Sequence, residues 1–420
     1  MPSKKLIAKI RKEGKFYLAY FLELRRIIPV NESGAIIIDY FFNKKKPVLS
    51  ILKLLSRNKG FKLKVEEIED FLKKLREELD APYEGGYPVL ETERMKVPLA
   101  VELQLNTTCN LKCEHCCQAN YVQTMPLKKA ETILRILYKT KVFEVILVGG
   151  EVFLYPYIKY IIDLCCRKYR FATLIVTNGT LLTSSLINNL LKYKENLSFL
   201  VSLEGIKDIN DRIRGKGTFD KIDKTLKSLK KAGFYLEIST TVNNLNIGRL
   251  QDLIDYGRAL NIPINFNLFK PFKDGQDSLI LPPNKYFDFV EKIFQQRLTK
   301  KFNIGLTNAA ITAYLLNQGK RNECKATLSG LTIDVNGRMV PCPFLEEIGF
   351  YKSEDLPLFG KNFLDNWKNN KYFKEFRKRN MTECQACSYI FKGNINQKSP
   401  YGISAFKDYQ KSRNSYAKII

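Results

Sequence analysis

Histidine is almost absent. His115 is the single one in 420 residues, beside one tryptophan and five methionines. No nucleophile motif accompanies it, which argues against a hydrolase with histidine as general base. No apolar run is long enough to span a bilayer, so no membrane partner is expected. Residues 1–10 are basic and then amphipathic, without the apolar stretch and small-residue cleavage site of a secretory signal. Acidic side chains are few against basic ones, 43 Asp and Glu to 69 Lys and Arg, for a formal charge of +26. The lysines run through the whole chain and no RNA-binding motif stands out, so nucleic acid is not the expected partner. A Lys-rich composition of thermophilic or AT-biased type accounts for the excess, and such a surface would attract an acidic peptide. Ten cysteines in a large chain without an export signal point to a cytoplasmic location and to metal binding, not disulfides.

Three of the cysteines, Cys109, Cys113 and Cys116, stand in the run Cys-Asn-Leu-Lys-Cys-Glu-His-Cys, just after the apolar stretch 101–105. Thiolates so close together suit three corners of a cubic iron–sulfur cluster. The run lacks a fourth ligand, which leaves one iron open to a substrate or cofactor. A zinc site or a disulfide cluster is the plainer alternative, although zinc usually takes two well-separated ligand pairs.

Periodicity divides the chain into three segments. In residues 1–90, the apolar runs 25–30 and 35–40 flank Asn31-Glu32-Ser33-Gly34, which reads as a hairpin turn. Pro47 opens a helix with Val48, Ile51, Leu52 and Leu55 on one face, and a second helix carries Ile68, Phe71, Leu72 and Leu75. Together these predict a small winged-helix-like module. The Pro- and Gly-rich stretch 80–98 reads as a linker. Residues 91–305 alternate strands, at 99–106, 142–150, 171–179, 197–205, 234–243 and 264–271, with helices such as 128–139 and 221–232. The fold class predicted is α/β, a partial (β/α)6 parallel barrel with its active groups at the C-terminal strand ends. Residues 306–420 contain a hairpin centred on Asn336-Gly337, and Cys324, Cys342, Cys384 and Cys387.

The cysteine spacing resembles the signature of radical S-adenosylmethionine (SAM) enzymes, and the resemblance extends over the middle segment. Gly149-Gly150-Glu151 ends the second strand and Thr177-Asn178-Gly179 the third. Ser202-Leu203-Glu204-Gly205 ends the fourth and resembles the Ser-x-Asp-Gly motif of peptide-modifying members, with Glu204 in place of Asp. Asp211-Arg212-Ile213-Arg214-Gly215 and Gly217-x-Phe219 follow. The resemblance implies a [4Fe-4S] cluster on Cys109, Cys113 and Cys116 whose open iron binds SAM. It implies that Gly149, Gly150 and Glu151 meet the methionine end of SAM, with Asn178 a further contact. Ser202 would meet the ribose region, Arg214 the carboxylate, and the His115 ring would pack near the adenine. A solvated basic loop is the plainer reading of Arg212 and Arg214. The implied chemistry is one-electron cleavage of SAM to methionine and a 5′-deoxyadenosyl radical, which removes hydrogen from an unactivated carbon. The electron would come from a donor such as ferredoxin or flavodoxin.

Two further resemblances frame this core. Residues 18–80 are similar in order and spacing to the PqqD-like peptide-recognition domain, in which the leader of a ribosomal precursor peptide adds as a strand to a sheet edge. Cys324, Cys342, Cys384 and Cys387 resemble the ligands of a SPASM or twitch-type domain, here with four cysteines for one auxiliary [4Fe-4S] cluster, a zinc site being the alternative. Cys165 and Cys166 read as packing. Cys117, beside a cluster ligand, reads as structural or as a hydrogen donor. The expectation is a cytosolic enzyme that matures a ribosomally made peptide by a thioether or carbon–carbon crosslink. The alternatives are a peptide epimerase and a radical SAM enzyme acting on another protein, in the manner of a sulfatase maturase, or on a small molecule.

Overall fold

The computed structural model describes residues 6–21, 24, 26–59, 61–80, 95–116, 122–300, 302–306, 311, 326–378, 384–394 and 396–416. Cys117, Cys324 and nearly all of the expected linker lie outside the described residues. The chain divides into two compact units, Met1–Lys96 and Val97–Ile420.

The first unit opens with an antiparallel sheet in the order β1 (Ala8–Glu13), β2 (Phe16–Phe21) and β3 (Arg26–Val30). Helices α1 (Glu32–Ile38), α2 (Val48–Lys59) and α3 (Val65–Asp80) follow. The two helices expected after Pro47 are α2 and α3, and they bury Ile51, Leu55, Ile68, Leu72 and Leu75 with Phe21 and Ile37. The expected hairpin is corrected. Residues 35–40 do not form a strand, because Asn31 caps a helix there. Its Oδ1 accepts from the Gly34 amide at 2.8 Å, and Glu32 sits in the first turn where a negative charge is favoured. Helix α1 buries Ala35, Ile37 and Ile38. This packing outweighs the strand preference of its isoleucines.

The second unit is built on one nine-stranded sheet. Its core is six parallel strands in chain order: β4 (Ala100–Gln104), β5 (Glu144–Val148), β6 (Ala172–Thr177), β7 (Leu197–Ser202), β8 (Tyr235–Val242) and β9 (Ile264–Leu268). The connecting helices are α4 (Leu127–Lys139), α5 (Ile158–Asp163), α6 (Ser184–Leu190), α7 (Asp208–Arg214), α8 (Thr218–Ala232) and α9 (Leu250–Leu260). Each of the six expected strands is present, and the fold is the α/β partial barrel that the alternation predicted. Val101, Leu103, Val145, Leu147, Phe199, Val201, Ile238 and Phe266 alternate along the strands into the main core with Ile133, Leu137, Ile222 and Leu226 of α4 and α8. The other strand face carries Glu102, Gln104, Ser202, Ser239, Thr241, Asn265 and Asn267, all half-buried.

Helix α10 (Pro283–Lys300) leads to β10 (Ile304–Leu306), which joins β9 in parallel. On the other side, β11 (Gly330–Ile333) pairs in parallel with β4, and β12 (Met339–Val340) adds antiparallel to β11. The hairpin centred on Asn336-Gly337 is therefore present. Gly337 takes φ +80° and its amide donates to the Asp334 carbonyl at 2.9 Å, a turn that favours glycine. Strand β11 thus belongs to the barrel sheet, within the compact unit Val97–Ile420. Helices α11 (Pro343–Glu347), α12 (Phe363–Asn369), α13 (Lys371–Lys378), α14 (Gln385–Lys392) and α15 (Ile403–Tyr416) complete the chain. A smaller core of Val340, Cys342, Leu345, Tyr351, Phe376 and Ala386 forms among them.

Candidate active site

The cysteine loop leaves the sheet after β4, and the β5 turn anchors it. The Gly150 amide donates to the Asn106 carbonyl at 2.9 Å, and the Glu151 amide to the Thr108 carbonyl at 2.8 Å. A Cβ on Gly149 would lie 2.0 Å from Asn106 Oδ1, and one on Gly150 would lie 2.3 Å from the Thr107 carbonyl oxygen. These glycines thus let the second strand end press against the stem of the cysteine loop. Within the loop, the Cys116 amide donates to the Cys113 carbonyl at 3.1 Å. The Glu114 amide donates to the Ile213 carbonyl of α7 at 2.9 Å. Gln276, which the sequence reading passed over, holds the loop from the far side. Its Nε2 donates to the Glu114 carbonyl at 2.9 Å while its Oε1 accepts from the amides of Phe272 and Lys273.

The three thiols are half-buried in this loop. Burial pushes Cys109 up, with the Glu151 and Cys116 charges adding, and pushes Cys113 to about 11 against the lowering charge of Arg214. Three thiols on one short loop are donors of the type that a soft metal cluster takes, bound as thiolates. Asn178 Nδ2 lies 3.7 Å from Cys109 Sγ and 2.9 Å from Asn110 Oδ1.

Glu151 is buried and its carboxylate is already engaged. Oε1 accepts from Thr177 Oγ1 at 2.7 Å and the Phe153 amide at 3.1 Å, and Oε2 from the Asn178 amide at 2.8 Å. It thereby ties the ends of β5 and β6 together. Arg214 is buried too, and Nη2 and Nε reach Glu204 Oε1 at 2.6 and 3.1 Å. Glu204 Oε2 accepts from the Thr241 amide at 2.7 Å. Arg214 Nη1 lies 3.7 Å from Cys113 Sγ. Arg212, in the last turn of α7, is exposed to solvent. Asp211 organises the turn that follows, accepting from the amides of Gly217 at 2.6 Å and Phe219 at 2.8 Å. Burial lowers the His115 pKa to about 4, so the ring is neutral at pH 7. Its Nε2 is 3.5 Å from Glu204 Oε1, and its buried Nδ1 has no hydrogen-bond partner among the described residues. That open Nδ1, beside three thiols, fits a site made to receive a polar ligand. Ser202 ends β7, paired with Ser239.

The C-terminal thiols converge in part. Cys342 is the N-cap of α11 and Cys384 the N-cap of α14. The Cys387 amide donates to Cys384 Sγ at 3.5 Å. Hydrogen bonding from Cys387 and the charge of Lys270 hold the Cys384 thiol down, whereas the hydrogen bond to Cys384 and burial push Cys387 up, with the Cys342 charge adding a little. Cys165 and Cys166 are buried in the main core, as packing residues would be.

The fold and the cysteine loop at a strand end define a radical SAM domain, and residues 103–257 match the model of the radical SAM superfamily. Those residues, 103–257, carry the radical SAM domain of this chain. It is 26% identical over 254 residues to the Bacillus subtilis antilisterial bacteriocin subtilosin biosynthesis protein AlbA, covering 59% of this chain and 55% of that protein. The chain thus spans about half the length of that relative. It is 24% identical over 307 residues to the Mycobacterium tuberculosis mycofactocin maturase MftC, covering 70% and 77%. Streptococcus suis SuiB has the same fold, with a TM-score of 0.67 and 18% identity over 94% of this chain and 98% of that one.

Proposed function

We propose that this chain is a cytosolic radical SAM maturase that crosslinks a ribosomally made precursor peptide. The observation that carries the reading is the loop of Cys109, Cys113 and Cys116, held by Gly150, Ile213 and Gln276 at the C-terminal end of β4. When bound there, a [4Fe-4S] cluster with SAM supplies a 5′-deoxyadenosyl radical. The chain's own residues hold the loop, place Arg214 and neutral His115 beside the thiols, and offer the polar strand face of Ser202, Ser239, Thr241 and Asn267 to the substrate. Gly149, Gly150, Glu151 and Asn178 would frame the cofactor.

Peptide substrates are supported by the relatives named for subtilosin and mycofactocin, and by SuiB, solved bound to its precursor peptide SuiA. The first unit would take the leader along β3, a sheet edge whose Arg26 donates to the Glu78 carbonyl of α3. Cys342, Cys384 and Cys387, with Cys324, would hold one auxiliary [4Fe-4S] cluster. Crosslinking removes two electrons from the peptide, and such a cluster would accept one of them. A ferredoxin or flavodoxin would supply the electron that cleaves SAM.

The test is intact mass. A short peptide encoded beside this chain would be incubated anaerobically with reconstituted enzyme, SAM and reductant in heavy water. Loss of two hydrogens is the expected result. Uptake of solvent deuterium without that loss would make the enzyme an epimerase and direct attention to Cys117. SAM cleavage with an unchanged peptide would remove that peptide as substrate and count against leader binding by the first unit.

A further inference from the structure

Four of the ten large apolar side chains that stand exposed among the described residues lie on α4 and on the segment from the β5 turn into α5. They are Tyr138, Leu154, Tyr157 and Tyr160. Leu154, Tyr157 and Tyr160 follow one another at spacings of three, with Tyr157 48% exposed. The row begins against the cysteine loop. Leu154 is three residues past Glu151, whose amide donates to the carbonyl of Thr108, the residue before Cys109. The row also has a fixed base. Tyr155 is buried and its hydroxyl donates to the Met125 carbonyl at 2.9 Å. The Tyr157 ring packs edge-on to the Tyr155 ring, centroids 5.8 Å apart. The Tyr160 hydroxyl donates to Glu131 Oε1 at 2.7 Å and ties α5 to α4.

The charge around this row is basic. Helix α4 carries Lys128, Lys129, Arg135 and Lys139 against Glu131, the carboxylate that accepts from Tyr160. Lys128 and Arg135 lie one turn either side of Glu131 and are exposed. Residues 158–168 carry Lys159, Arg167 and Lys168 against Asp163, which accepts from Tyr193 and Arg167. A tyrosine-rich apolar centre inside a basic rim suits an acidic partner. A second copy of this chain, itself at +26, would be repelled.

We infer that an acidic one-electron carrier of the ferredoxin or flavodoxin class docks on Leu154, Tyr157 and Tyr160. The inference rests on the reading above that such a carrier supplies the electron. From Leu154, a short run of covalent bonds to Glu151 and one hydrogen bond to Thr108 lead to Cys109. One electron leaves the reduced carrier and enters the cluster that the three thiols would hold, and no bond or proton moves with it.

The test uses the full chain, with flavodoxin and then a ferredoxin as probes. Calorimetric titration with the oxidised carrier reads binding. SAM cleavage is read with the reduced carrier and, separately, with dithionite, which needs no docking. Tyr157→Asp, and Lys128→Glu with Arg135→Glu, are expected to weaken binding roughly tenfold or more and to slow carrier-driven cleavage, with dithionite-driven cleavage at the parent rate. Lys231→Glu, exposed on α8, should bind as the parent does. Parent-like binding by both sets of variants would overturn the docking surface, as would an equal loss of cleavage with dithionite. Preferential binding of a single-stranded RNA oligonucleotide, lost in the same variants, would make this a nucleic-acid face and overturn it too. A parent chain that binds neither carrier yet cleaves SAM with dithionite would instead sink the electron-donor reading itself.

Discussion

Arg214 and Glu204 form a buried ion pair, Nη2 to Oε1 at 2.6 Å, and the free side of the guanidinium faces the sulfur of Cys113 at 3.7 Å. Glu204 stands at the Asp position of the Ser-x-Asp-Gly motif that this strand end resembles. Its second oxygen is fixed by the Thr241 amide, so β8 holds the carboxylate and the carboxylate holds the arginine.

Removing one partner of such a pair leaves an uncompensated buried charge. Glu204→Ala is expected to cost the cluster-free chain about 3–5 kcal/mol. The double change Glu204→Ala with Arg214→Ala is expected to cost less than Glu204→Ala alone. Chemical denaturation of the three proteins measures both. A loss as small as that expected for the exposed Arg249–Asp252 pair would show that the buried pair contributes little.

Gly150→Ala would drive a Cβ into backbone, 2.3 Å from the Thr107 carbonyl oxygen and 2.5 Å from that of Thr108. Neither atom can swing away as a side chain would, so the stem of the cysteine loop must move. Iron bound after reconstitution is expected to fall, with a stability loss of about 1–3 kcal/mol or more. Gly248→Ala, with nothing within 4 Å of its new Cβ, is the control and should bind iron normally.

Glu102 lies on β4, and burial raises its pKa from 4.5 to about 7. The folded chain therefore keeps this proton over a range in which the unfolded chain has lost it. Stability falls as pH rises between those two values and is flat above them, by about 3 kcal/mol in all. Glu102→Gln removes the titration. Its gain in melting temperature over the parent is expected to be larger at pH 8 than at pH 5, and an equal difference at both would refute the assignment.

Asn31→Ala removes the side-chain acceptor at the start of α1 and is expected to destabilise the first unit by about 1 kcal/mol. Asn31→Asp should restore most of it. Urea denaturation of the full chain, followed by a probe in the first unit, distinguishes the two.

The barrel was legible because its strands alternate in period two and the first five are closed by Asn106, Gly149, Gly179, Gly205 and Asn243. Its helices carry apolar residues at spacings of three and four, as Ile222, Leu226 and Leu229 do. The cysteine loop was legible because its donors are adjacent in sequence. Residues 8–13 were missed as a strand, since Ala-Lys-Ile-Arg-Lys-Glu is mostly charged and only its pairing with β2 makes it one. Residues 35–40 misled because three consecutive isoleucines resemble a strand, while the deciding signal was the cap at Asn31. Gln276 carries no local signal at all. Its role appears only when the chain after β9 comes back against Glu114, far away in sequence.

The parallel pairing of β11 with β4 makes the C-terminal region a poor candidate for exchange as a cassette. A chimera cut near residue 306 would strip the neighbour from the strand that leads into the cysteine loop and leave its amides and carbonyls open to other chains. A graft that works would have to carry β11 with the barrel or bring a replacement in the same register. In recombination terms, the seam of this molecule lies before β4, at Lys96 and Val97, and not behind β10.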